Sequence, residues 1–247
     1  MLEIKNQGPP NEASMPVMEH LTELRSRVIK SLVVIAVFFV IALEEINFLL
    51  NGLRRLLPAD LFFNSPAEAL WVSMKIALFA SFFTSFPFIL YQFWKFISPG
   101  LFQKEKRIAI PFILGGSSFF ILGVLFCYFF VLPFALNYLV QFGIQEGVKP
   151  QIILTNYIDF ILKLMLAFGL IFILPIALIL LGKAGIVSSR WLAKNRRYAI
   201  LINSIVAAVL TPTPDIFNMM LMMIPLLILY EVGIWGIRIF GEGPARA

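Results

Sequence analysis

Residues Ile108–Gln145 read IAIPFILGGSSFFILGVLFCYFFVLPFALNYLVQFGIQ, with no charged side chain from end to end. An α-helix rises about 1.5 Å per residue, so roughly 20 apolar residues cross the ~30 Å hydrocarbon layer of a bilayer. The stretch exceeds that length even if Pro111 and Pro133 bend it. It therefore reads as a membrane span, and the rest of the chain is organised around it.

Upstream, an apolar run over Val28–Leu43 is closed by Glu44 and Glu45. A second covers Ile76–Trp94, inside a helix that Ser65-Pro66-Ala67-Glu68 opens and that runs to Phe96. Ser at the N-cap, Pro at the first position and Glu at the third form a helix-start signature. Ser98-Pro99-Gly100 breaks that helix. Downstream, a polar stretch from Gly143 to Asn156 precedes a fourth span over Phe160–Leu181. Two shorter spans, Tyr198–Leu210 and Ile216–Ile237, are joined only by Thr211-Pro212-Thr213-Pro214-Asp215, which makes them an antiparallel pair. The fifth is too short for the full hydrocarbon thickness. The expected fold is thus all-α, a polytopic membrane protein with six transmembrane helices. Its expected divisions are a flexible tail over 1–14, a membrane domain over 15–240 and a short tail over 241–247.

Composition agrees. Hydrophobic residues are 60% of the 247 and charged residues 14%, against about 45–50% and 25% in soluble domains. Lipid is therefore the expected solvent of the outer face. The net charge of +6 is explained by topology, so no nucleic-acid partner is expected. With six spans, all of the 20 basic residues except Arg54, Arg55, Lys75, Lys149 and Lys163 fall on one side. The positive-inside rule makes that side cytoplasmic and places both termini there. No cleavable leader is expected, since the first apolar run follows an acidic, proline-containing tail.

Enzyme chemistry finds no working parts. His20 is the only histidine and Cys127 the only cysteine, so neither a disulfide within the chain nor a cysteine-based metal site is available. H-E-x-x-H, G-x-S-x-G and the phosphate-binding G-x-x-x-x-G-K-[ST] are missing from the sequence. The expectation is a non-enzyme without cofactor, metal or catalytic residue. Among charges within spans, Glu231 stands out, either in a structural pair or as a ligand group. Lys30, Lys75 and Lys163 lie near helix ends and are expected to snorkel.

Before the first span, Val17, Leu21, Leu24 and Val28 share one helical face, while Glu19, Glu23 and Arg27 form a second stripe. Glu23 reads in two ways. It forms an i,i+4 pair with Arg27, or it accepts a ligand's guanidinium group at the mouth of a membrane groove. Glu105, in Phe102-Gln103-Lys104-Glu105-Lys106-Arg107, either offsets its lysines or joins Glu23 in that task.

Several blocks, in order and suitably spaced, resemble the TatC family, the signal-recognising core of the twin-arginine protein translocase. They are Glu19-His20-Leu21-Thr22-Glu23-Leu24-Arg25, Tyr91 through Leu101, Glu105-Lys106-Arg107, Lys183 through Ser188, Arg196-Arg197-Tyr198, Leu210-Thr211-Pro212 with Pro214-Asp215, and Ile224-Pro225-Leu226-Leu227 with Tyr230-Glu231. The resemblance implies a cupped, concave six-helix bundle in the cytoplasmic (inner) membrane. It implies that Glu23 and Glu105 bind the two arginines of a folded cargo's signal peptide, with Arg25 and Phe96 in the same region. Asp215 matches an acid at the outer tip of the last hairpin. The fifth and sixth helices, with Val206, Leu227 and Glu231, match a docking face for single-span TatA and TatB partners. Export of cargo by the proton-motive force and self-association within the complex follow from the same resemblance. Three places depart from the family's pattern: Ile173 and Met219 stand where it often has polar residues, and Leu53 stands near the place of a proline expected in the first outer loop. A small secondary transporter or ion pathway is the alternative, and it would need polar groups converging near mid-membrane.

Overall fold

A computed structural model describes residues 17–57, 60–97, 109–145, 151–210 and 216–240. The helices are α1 (Val17–Glu44), α2 (Ile46–Arg54), α3 (Pro66–Ile97), α4 (Ala109–Phe126), α5 (Leu132–Gln145), α6 (Leu154–Phe172), α7 (Leu174–Lys183), α8 (Ser189–Lys194), α9 (Arg196–Leu210) and α10 (Ile216–Phe240). A π-helical turn, Cys127–Val131, joins α4 to α5. The protein is a helical, multi-pass membrane protein. Among the described residues, five stretches are long and apolar enough to cross a bilayer: His20–Glu44, Pro66–Phe96, Ile110–Gln145, Leu154–Lys183 and Met219–Phe240. α9, with 15 residues, falls below that length, as its sequence implies. The expected tails, 1–14 and 241–247, lie outside the described residues.

Three local features differ from the sequence expectation. The segment after Glu45 holds a further helix, α2, and a two-residue strand, β1 (Leu61–Phe62), which pairs in parallel with β2 (Ile152–Ile153). Leu61 lies opposite Ile152 and Phe62 opposite Ile153. Too short for any periodicity to reveal it, this ladder ties together the connections before α3 and α6. Second, the long stretch over Ile108–Gln145 is not one regular helix. Pro133 has no N–H and crowds the carbonyl four residues back, and the wider π turn just ahead of it absorbs that mismatch. Third, the span expected over Phe160–Leu181 breaks at Ile173, because Pro175 sits in the first turn of α7. Pro87 and Pro225, by contrast, lie inside continuous helices.

Helix ends find partners. The last-turn carbonyls of a helix such as α2 lack intrahelical N–H donors. Tyr128 donates its hydroxyl to Gly52 O at 2.9 Å and Tyr157 donates to Leu53 O at 2.8 Å. After α7, Gly185 adopts φ 69°, the left-handed conformation that closes a helix and that glycine adopts without strain. Ile186 N then donates to Leu181 O at 3.0 Å.

The largest apolar cluster gathers around α6, with Tyr157, Ile158, Ile161 and Phe168 against Cys127, Leu132 and Val72. A second joins α3 to α4, where Phe86 stacks on Phe120 at 3.7 Å and Trp94 meets Phe112 at 5.0 Å. A third packs Leu192 of α8 on Ile234 and Ile237 of α10. α1 packs chiefly along α3, and much of its remaining apolar surface (Val33, Val37, Val40 and Ile41) is exposed, as a lipid-facing helix requires.

Candidate functional site

The start of α1 lies against the end of α3. Steps of four residues place Glu23 and Arg27 on one side of α1, and that side faces α3. His20 stacks on Phe96, with ring centroids 4.3 Å apart. About two turns further, Arg27 donates from Nε to Glu23 Oε1 at 3.0 Å, and its Nη2 reaches the same oxygen. Nη1 of Arg27 points to Gln92 Oε1 at 3.4 Å. About two helical turns of α1 are thus registered against α3 by a ring stack and a shared guanidinium.

The carboxylate of Glu23 is unevenly used. Oε1 takes both donors from Arg27, while Oε2 is buried and has no hydrogen-bond partner among the described residues. His20 Nδ1 is its near neighbour at 3.8 Å, beyond hydrogen-bonding distance. A buried acceptor without a donor is destabilising until something donates to it. Among the described residues, one oxygen of this carboxylate is therefore left without a donor.

Of the residues expected at this site, the structure brings Glu23 and Phe96 together through His20. Arg25 lies on the same turn of α1 but is exposed. Glu105 lies outside the described residues, as does Asp215. Glu231 sits elsewhere, in a two-pronged pair: Arg196 Nε meets Oε1 at 2.7 Å and Nη2 donates to Oε2 at 2.8 Å. Val206 and Leu227 are half-buried on α9 and α10, and Val206 packs against the main core. Ile173 and Met219 pack as apolar residues, Ile173 beside the Phe86–Phe120 stack and Met219 on the main core. Ser204 links the last hairpin by contacting Met223 Sδ at 3.2 Å.

Sequence reasoning missed two participants and one role of a third. Gln92, buried despite its amide, serves Arg27, and only its uncharged polarity inside an apolar helix hinted at this. Asp159 pairs with Lys75 at 2.8 Å, so Lys75 is held by a partner on α6 and does not simply snorkel. A lone acid opening one span and a lone lysine opening another were the available signal. Glu68, expected to cap α3, accepts from Asn64 N at 2.7 Å, but also from Thr155 N at 2.9 Å and Thr155 Oγ1 at 2.6 Å. It is a clasp between α3 and α6 as well as a cap.

Helices that leave apolar flanks to lipid and are tied to one another by ion pairs and hydrogen bonds define a polytopic α-helical membrane protein. No nucleophile–base pair accompanies the Glu23 carboxylate among the described residues. The family model for the Sec-independent protein translocase protein TatC matches residues 19–225, and the chain belongs to that family. It is 40% identical over 227 residues to the TatC protein of Aquifex aeolicus, covering 90% of this chain and 94% of that one. It is 38% identical over 237 residues to that of Desulforapulum autotrophicum, covering 94% and 87%. Among solved structures, a crystal structure of the twin-arginine translocase receptor TatC in DDM superposes with a TM-score of 0.77 at 41% identity, over 87% of this chain and 98% of that one. A second crystal structure of that receptor gives 0.74 at 40%, over 90% and 99%. The chain is accordingly a component of a Sec-independent, twin-arginine-type protein translocase.

Proposed function

We propose that this protein is the signal-receiving subunit of the twin-arginine translocase, a six-pass protein of the cytoplasmic (inner) membrane with both termini in the cytoplasm. Glu23 and Glu105 capture the paired arginines of a folded cargo's signal peptide, Arg25 and Phe96 border that contact, and the signal's apolar stretch lies along the concave side of the bundle. An apolar hollow of about 270 Å³ between α2, α3, α6 and the π turn, lined by Phe48, Ile76, Phe79 and Leu162, supports that last element. α9 and α10, with Val206, Leu227, Asp215 and Glu231, present the face where single-span TatA and TatB dock, and copies of the subunit associate in the assembled complex. Cargo then passes at the expense of the proton-motive force.

The observation that carries the reading is Oε2 of Glu23, which has no hydrogen-bond partner among the described residues and lies beside the His20–Phe96 stack. It is a buried anionic acceptor at a helix end, suited to a charge-assisted bond from a guanidinium. Exposed ion pairs are weak by themselves, so capture needs both acids together with burial of the apolar stretch. Photocrosslinking of a twin-arginine peptide to purified protein tests this. Glu23→Ala combined with Glu105→Ala is expected to abolish the crosslink while leaving the protein folded. Undiminished crosslinking to the double variant would sink the assignment.

A further inference from the structure

Glu23 is not empty at rest. Arg27, its side chain 13% exposed, already places two N–H groups on Oε1, the same fork of donors that a signal arginine would bring. We propose that Arg27 is an internal guanidinium that competes with the signal for Glu23, and so sets the affinity of the site. This rests on Glu23 receiving a signal arginine, as above.

The charges around Glu23 favour exchange over addition. With Arg27 in place the carboxylate's charge is neutralised, and His20 and Lys95 stand nearby as further cationic or protonatable groups. A second guanidinium added to that group meets like charge, whereas one that replaces Arg27 does not. Arg27 also has somewhere to go. Gln92 Oε1, on buried Gln92, already lies 3.4 Å from Nη1, so the displaced guanidinium keeps an acceptor while it leaves Oε1. Exchange thus trades one Arg–carboxylate fork for another at small net change, and it also offers a donor to the idle Oε2.

A competitor of this kind acts on the free protein alone. Apparent affinity falls by the fraction of molecules in which Glu23 is released, and every ligand that needs Glu23 is penalised by the same factor. The internal contact therefore raises the threshold for capture without altering the ratio between arginine and lysine signals. That ratio is set in the bound complex, where the planar, weakly hydrated fork outperforms the compact ammonium. Weak single-cation encounters are filtered out, and only a signal that also engages further contacts pulls Glu23 from Arg27.

The test is equilibrium binding of a twin-arginine and a twin-lysine signal peptide to the full-length protein in detergent, for wild type, Arg27→Gln, Arg27→Lys, Glu23→Gln and Glu23→Gln/Arg27→Gln. Arg27→Gln is expected to tighten both peptides by the same factor, about three- to tenfold. Arg27→Lys, whose ammonium cannot form the fork, gives a smaller gain and carries the test if Arg27→Gln does not fold. With Glu23→Gln the gain vanishes. Unchanged or weaker binding in both Arg27 variants, or a gain confined to one peptide, overturns the proposal: Arg27 would then stay on Glu23 in the complex. If Glu23→Gln itself leaves twin-arginine binding intact, the receptor reading fails first. If Glu23→Gln weakens binding and the Arg27 variants bring no gain, only the competition fails.

Discussion

Replacing Gly123 by Ala tests the packing that holds the centre of the molecule. α4 crosses α6 at this residue, and the two helices approach through paired glycines, as membrane helices do when small residues let backbones meet. A Cβ on Gly123 would lie 2.5 Å from Phe168 O and 2.8 Å from Phe172 Cβ, and one on Gly169 would lie 2.6 Å from Phe120 Cε2. The nearest obstacle to Gly123 is a backbone carbonyl, which cannot rotate aside. Phe120 is in turn fixed by its stack on Phe86 at 3.7 Å. To restore ordinary contact the helices must separate by roughly 1 Å, and that loosens the buried Phe168 and Phe120 together. Overpacking of this kind costs about 1–3 kcal/mol, and alanine's better helix propensity returns at most ~1 kcal/mol. A net loss of about 1–2 kcal/mol is expected. Gly143→Ala is the internal control, because a Cβ there meets nothing within 4 Å, and it should be neutral or slightly stabilising. Reversible unfolding in mixed micelles, followed by tryptophan fluorescence, measures both. If Gly123→Ala unfolds within about 0.5 kcal/mol of Gly143→Ala, the close approach of α4 and α6 is not what stabilises this crossing.

Other expectations concern the far end, the hairpin and the topology. A double-mutant cycle on Lys75→Met and Asp159→Asn should give a coupling below about 1 kcal/mol, because the side chains are 39% and 33% exposed; a coupling of several kcal/mol would mean the pair is sealed from water. Cysteines placed at Val206 or Leu227 should crosslink to a single-span partner in membranes, and silence at both positions would argue against the α9–α10 docking face. A tag at Ala247 should resist external labelling of intact cells, whereas ready labelling would reverse the proposed orientation.

What was legible in the sequence was whatever depends on long, continuous patterns. The charge-free stretch over Ile108–Gln145 announced a membrane chain, the run Tyr198–Leu210 announced a short helix, and the four-residue step from Glu23 to Arg27 announced their pairing. What escaped depends on contacts between distant segments. β1 and β2 are two residues each, so no alternation marks them. Lys75 and Asp159 are 84 positions apart, and nothing local to either indicates the other. Gln92 looked like one polar residue in an apolar helix until the fold set it against Arg27. The breaks at Cys127–Val131 and Ile173 were signalled by Pro133 and Pro175, but a proline alone does not say whether a helix bends, widens or ends, and Pro87 and Pro225 do none of these visibly.

These contacts divide the labour along α3. At one end Glu68 and Lys75 tie it to Thr155 and Asp159 at the start of α6, and the core around Tyr157 and Ile161 lies between. That end is braced by ion pairs, hydrogen bonds and the β1–β2 ladder. At the other end α3 meets α1, a helix with little else to lean on, through His20 on Phe96 and Arg27 on Gln92. A guanidinium that takes Arg27's place on Glu23 leaves Arg27 with Gln92 as its acceptor, so the exchange bears directly on the polar contact between α1 and α3. Binding at that carboxylate and the position of the first helix are coupled by construction, since the same arginine serves both.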